Sequence, residues 1–124
     1  MTTDPNVLHA EALDAAYKPF LLEGKPAGKH AEIVGRAGVR AGVLRLEPGE
    51  YPVGEPTPYV FEDDEYIWII EGEVQVESSS GETVVLRAGD SAYFRKGSES
   101  IWTFHAPFRK FSVEIEIEIE GADS

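Results

Sequence analysis

From Ile33 onward the chain is cut into short runs of β-branched and aromatic residues, each closed by glycine, proline or a polar cluster. This texture constrains the fold strongly, because such runs suit strands and are too short for an amphipathic helix. The candidate strands cover residues 42–46, 65–70, 73–77, 83–87, 91–94, 100–104 and 111–120. Turn signals separate them at Glu47-Pro48-Gly49, Glu71-Gly72, Ser78-Ser79-Ser80-Gly81, Ala88-Gly89-Asp90 and Lys96-Gly97. Glycine supplies the backbone angles that tight connections between strands demand. Short strands in this density predict an all-β sandwich or barrel.

Only one stretch reads as a helix. Residues His9 to Tyr17 are rich in Ala, Leu and Glu, with Pro5 before them and Pro19 after them as boundaries. The run Gly24 to His30 has turn chemistry and no apolar period, so it reads as a connecting loop. A chain of 124 residues suits one domain. Residues 1–33 are therefore expected to form a helix-and-loop extension, and residues 34–124 a single barrel.

The charge narrows the choice of partners. Eleven basic residues against twenty-three acidic ones leave a net charge of -12, which repels nucleic-acid phosphates and anionic membranes. With no cysteine there is no disulfide, thiolate site or cysteine nucleophile to propose. Apolar stretches such as Ile67-Trp68-Ile69-Ile70 are too short to span a bilayer, and the N-terminus lacks the basic and apolar parts of a secretory signal. A cytoplasmic protein is expected.

In the last candidate strand Phe111, Val113, Ile115, Ile117 and Ile119 alternate with Ser112, Glu114, Glu116, Glu118 and Glu120. A strict period of two assigns them to opposite faces. The apolar face is expected to be buried, and the glutamate row to be solvated and to discourage edge pairing.

Four features stand in fixed order: Glu65 ahead of Gly72, the run Glu71-Gly72-Glu73, the turn Gly89-Asp90, and Gly97 followed by Trp102 and Arg109-Lys110. Together they resemble the cupin superfamily, and within it the small family of ethanolamine-utilisation and ureidoglycine-aminohydrolase cupin domains. The resemblance spans residues 42 to 115. It implies a double-stranded β-helix, a jelly-roll-like barrel, here with a short N-terminal helix. That scaffold hosts many reactions, so it speaks to fold and not to chemistry.

In the metal-binding cupins that the chain resembles, a His-x-His pair, a glutamate and a third histidine hold one divalent metal. Here Glu65 matches the glutamate, Tyr59 and Phe61 stand at the histidine pair, and Ser100 stands at the third histidine. Arg95 replaces the proline of the second motif. One carboxylate of four donors offers neither the ligand number nor the geometry for useful affinity, so no metal or other cofactor is expected. The alternative metal set is Tyr59, Glu65 and His105, with His105 otherwise a surface histidine at a strand end. His9 and His30 have no partner at ligand spacing.

The pocket implied by the resemblance is then expected to take a small polar or carboxylated metabolite. Tyr59, Phe61 and Trp102 are the candidate walls, with Ser100 beside them and Glu65 and Lys110 as polar anchors. Each also has a structural reading: Glu65 bonded to Tyr59, Ser100 or backbone, Trp102 as core, and Lys110 as a solvated strand-start lysine. A second possibility is an enzyme of small nitrogenous or carboxylate metabolites, of aminohydrolase, isomerase or ethanolamine-utilisation-like type, with Glu65 as catalytic acid or base. A third is a dimeric barrel with a vestigial pocket. Tyr66, Trp68 and Ile70 lie opposite Glu65 on their strand, and an apolar set on that face predicts a homodimer.

Overall fold

The computed structural model describes residue 7 and residues 9–116. The elements in chain order are α1 (Ala10–Ala16), β1 (Lys18–Leu22), β2 (Lys25–Ile33), β3 (Val39–Leu46), β4 (Thr57–Val60), β5 (Asp64–Ser78), β6 (Thr83–Arg87), β7 (Ser91–Phe94) and β8 (Glu99–Ile115). All pairings are antiparallel and join one continuous sheet in the order β1-β2-β3-β8-β5-β6, with β4 also on β8 and β7 also on β5. This is the expected all-β barrel with one short helix. No helix among the described residues is long and apolar enough to cross a membrane.

Two long strands fold the sheet over on itself. The first half of β5 pairs with β7 and with residues 110–115 of β8, while its second half pairs with β6 and with residues 100–105 of β8. Between the halves the register slips at Ile69/Glu71 and again at Glu71/Glu73, as a bulged corner requires. Gly72 sits in this corner at φ 80°, where a Cβ would run into the Pro107 carbonyl oxygen. The Glu71-Gly72 signal is thus a corner inside one strand, and the candidates 65–70 and 73–77 are its two arms. Residues 100–104 and 111–115 are likewise parts of β8, while 117–120 fall outside the described residues.

The segment Gly24 to His30, expected as a loop, belongs to β2 from Lys25 onward. Its glycine signals a two-residue hairpin: Glu23 and Gly24 both have positive φ, 51° and 82°, and Leu22 pairs with Lys25. The strand escaped notice because its buried positions, Ala27 and Ala31, are small. β1 and β4 carry prolines and were not visible as periodic runs. The helix forms as expected. It ends at Tyr17, whose ring lies 4.4 Å from the Arg45 guanidinium on β3.

The core gathers Leu46, Ile67, Ile69, Val74, Val76, Leu86, Trp102, Phe104 and Phe108 around Phe61. Phe61 is 1% exposed and stacks on Phe94 at 4.6 Å with an interplanar angle of 3°. Such offset or parallel ring contacts add to the burial of large apolar areas.

The two faces of β8 are used in the sense opposite to the sequence expectation. Ser112 is buried, and Lys110, Ser112 and Glu114 face an internal cavity. Phe111 and Val113 lie on the other face, registered with Trp68 and Tyr66 of β5. A period of two separates the faces but does not say which one is inside, and a cluster of polar side chains within the largely apolar cavity reverses the usual choice.

Candidate functional site

Inward-facing positions from several strands enclose a cavity of about 90 Å³. Alternation along β8 brings Lys110, Ser112 and Glu114 to one wall, and β5 adds Glu65 beside them. β4 contributes Thr57 and Tyr59, β2 contributes His30, and the first half of β8 contributes Trp102 and Phe104. Leu44, Leu46, Phe20 and Leu22 complete an apolar side.

Glu65 is 2% exposed, and its Oε2 accepts a hydrogen bond from Lys110 Nζ at 3.1 Å. The Lys110 side chain is 13% exposed, and its ammonium also lies 5.0 Å from the centre of the Trp102 ring. Coulomb attraction and the ring's negative face compensate part of the cost of removing this charge from water.

Glu65 and Glu114 are direct cross-strand partners. Like charges placed directly opposite repel. Burial, the charge of Glu65 and a hydrogen bond with it push the Glu114 carboxyl above its ordinary range. On its outer side Glu114 meets Arg40 at 2.9 Å, and that guanidinium also contacts Asp63 at 2.9 Å and Glu116 at 3.2 Å.

His30 reaches the cavity because Gly42, next to it on β3, has no side chain. A Cβ at Gly42 would lie 2.7 Å from His30 Cε1 and 2.5 Å from the Ala31 carbonyl oxygen. Burial, then the charge of Lys110, lowers the proton affinity of this imidazole. Burial, then the nearby carboxylates of Glu65 and Glu114, pushes the Tyr59 phenol far above its ordinary range, so it remains a neutral donor.

Of the residues singled out in the sequence, Tyr59, Glu65, Trp102 and Lys110 converge on the cavity. Phe61 and Ser100 do not line it. Phe61 packs edge-on behind Tyr59 at 4.7 Å, and Ser100 Oγ accepts the Trp102 indole N–H at 2.7 Å, so both position the walls. His105 is exposed, paired across the sheet with Glu73, and is not brought to Tyr59 and Glu65. Sequence reasoning missed His30, hidden in the supposed loop, and Glu114, assigned to a solvated row. The spacing Lys110, Ser112, Glu114 was the available signal for the latter.

The donors present do not fit a divalent metal held in the cupin manner. Tyr59, Phe61 and Ser100 stand where imidazoles are needed, Ser100 is engaged by Trp102, and the Glu65 carboxylate already has a cation in Lys110. Among the described residues no group of three or more His, Asp or Glu side chains is arranged to hold a metal ion.

A family model described as the EutQ-like cupin domain matches residues 36–111. The chain belongs to this family. Solved structures similar to this EutQ-like cupin include a putative ethanolamine utilization protein Q from Salmonella typhimurium LT2, with 22% identity and TM-score 0.59 over 73% of this chain and 70% of that one. A second is the EutQ protein of Clostridium difficile, with 14% identity and TM-score 0.59 over 73% and 63% of the two chains. An RmlC-like cupin from Shewanella frigidimarina aligns at 16% identity and TM-score 0.59 over 76% and 80%. These likenesses establish the fold alone. No curated protein matches the chain.

Proposed function

We propose that this EutQ-like cupin binds a small metabolite with one polar head and an apolar body, without a metal. The observation that carries the reading is the Glu65–Lys110 pair, held at 3.1 Å on the wall of a largely aromatic and aliphatic cavity. A buried ion pair stabilises a fold less well than apolar residues of the same volume, so stability gives little reason to keep one here. A few polar groups converging within apolar walls is the common form of a small-molecule site. The head would meet Lys110, Tyr59, His30 and the two carboxyl groups, and the body would lie against Trp102, Phe104 and Leu46. Thermal-shift screening with small metabolites tests this, since a ligand of the native state raises the melting temperature whether or not it reacts. Hits should lose their effect in Glu65→Gln/Lys110→Met, which removes both charges together; an undiminished shift would argue for binding elsewhere.

The Glu65–Glu114 pair favours a second reading. Glu114, whose proton affinity is raised, and Glu65, paired with Lys110, can serve as acid and base in one site, with Glu65 as the catalytic group. Turnover of a bound nitrogenous or carboxylate metabolite, abolished by Glu65→Gln, would support it.

We further infer a homodimer through the outer face of the sheet. Tyr66, Trp68, Ile70 and Tyr93 are about half exposed there, and Phe111 and Val113 continue the apolar surface on β8. An apolar set this concentrated on one sheet face suits a second copy.

A further inference from the structure

We propose that the polar head of the ligand is a cation, a protonated amine on a short apolar chain, held between Glu65 and Glu114. This rests on the binding role proposed above and adds the sign of the ligand's charge.

The walls carry two carboxylates and one ammonium, since the buried His30 imidazole favours its neutral form. Arg40 does not close the difference. Its side chain is 51% exposed and is shared among Asp63, Glu114 and Glu116. The inner corner therefore has negative charge to spare. Lys110 is committed to Glu65 and to the face of Trp102, so an anionic head would have to draw it away from both. An ammonium leaves Lys110 on Glu65 and replaces only the hydrogen bond between the two carboxyl groups. Its donors would meet carboxylate oxygens of Glu65 and Glu114, which lie directly across from each other on neighbouring strands. Burial first, and then the charge of Glu65, raises the proton affinity of Glu114, and the second of these is the direction that spare negative charge at this corner produces.

The remaining surfaces agree. Ring faces of Trp102, Phe104 and Tyr59 attract cations and repel anions. The net charge of -12 raises the local concentration of cations around the whole chain. A cavity of about 90 Å³ lined also by Leu44 and Leu46 gives a short apolar body room beside the polar head.

The test compares n-butylamine, n-butanol and butyrate, which share a chain and differ in head group, by NMR titration of the full chain at pH 7.5. Butylammonium should bind about tenfold or more tightly than either of the others, as charge-assisted hydrogen bonds imply. Glu114→Gln should remove most of that advantage, and an unchanged Trp102 indole N–H resonance in the ligand-free variant shows that its cavity is intact. Butyrate binding as tightly as butylammonium, or an unchanged amine advantage in Glu114→Gln, would overturn the charge assignment and leave the binding role standing. If none of the three moves any cavity resonance, both inferences fall.

Discussion

Glu65 and Glu114 face each other directly across β5 and β8, and each has a basic partner on its own side, Lys110 for Glu65 and Arg40 for Glu114. Repulsion between the two central carboxyl groups governs much of what the site can do, because it sets where a proton or a cation is favoured.

Stability should depend on pH through Glu114. Its carboxyl holds a proton more tightly in the folded chain than at the ordinary value of 4.5. The stabilisation it contributes is fully present below that value and disappears as pH rises through the higher folded value. Denaturant midpoints should therefore show a fall with rising pH in the native chain that is flattened in Glu114→Gln. Parallel profiles would show that the opposition of Glu65 and Glu114 has no energetic weight.

Breaking the buried pair from one side should be costly. Lys110→Met leaves Glu65 charged and alone, a loss of about 3–5 kcal/mol in chemical denaturation. Glu65→Gln/Lys110→Met should cost clearly less than the sum of the single changes. Additive losses would mean that the 3.1 Å contact is not an energetic coupling.

His30 should titrate below 6.5 in its NMR spectrum, since burial and Lys110 both disfavour its protonated form. Gly42→Ala must push the ring away from β3 and change that titration, because the added carbon would overlap Cε1. A His30 that titrates at its ordinary value in the native chain would place it in water rather than in the cavity.

The outer face makes a separate prediction. Trp68→Glu puts a charge at the centre of the Tyr66, Ile70 and Tyr93 surface and should convert a dimer to a monomer in sedimentation at micromolar concentration. A native chain that is strictly monomeric there would remove the basis for an interface on this face.

The fold was legible in the sequence because its turns are chemically explicit. Gly89 and Gly97 have positive φ and flank β7, which like β6 has the expected ends, whereas Gly72, also at positive φ, is a corner inside β5 and not its end. Less legible were strands whose interior side is small or polar. β2 shows Ala27, Ala31 and His30 to the inside or to neighbouring elements, and none of these gives an apolar period. The same limit applies to β8, where the alternation of Phe111 and Val113 with Ser112 and Glu114 does not say which set faces a cavity that holds a few polar side chains. Glu65 and Tyr59 stand at positions a cupin metal site would use, and Trp102 and Lys110 belong to the ordered features after Gly97. Glu114 and His30, which decide the electrostatics, belong to no such position and needed the register of β5, β8, β3 and β2.

The two tryptophans provide the most direct test, because Trp102 lines the cavity and is 3% exposed, while Trp68 stands on the outer face at 57%. In chelator-treated protein titrated with n-butylamine, the indole N–H resonance of Trp102 should shift saturably and that of Trp68 should stay in place. A Trp102 resonance that moves with none of n-butylamine, n-butanol and butyrate, or moves only after a divalent metal is restored, would refute a metal-free binding cavity.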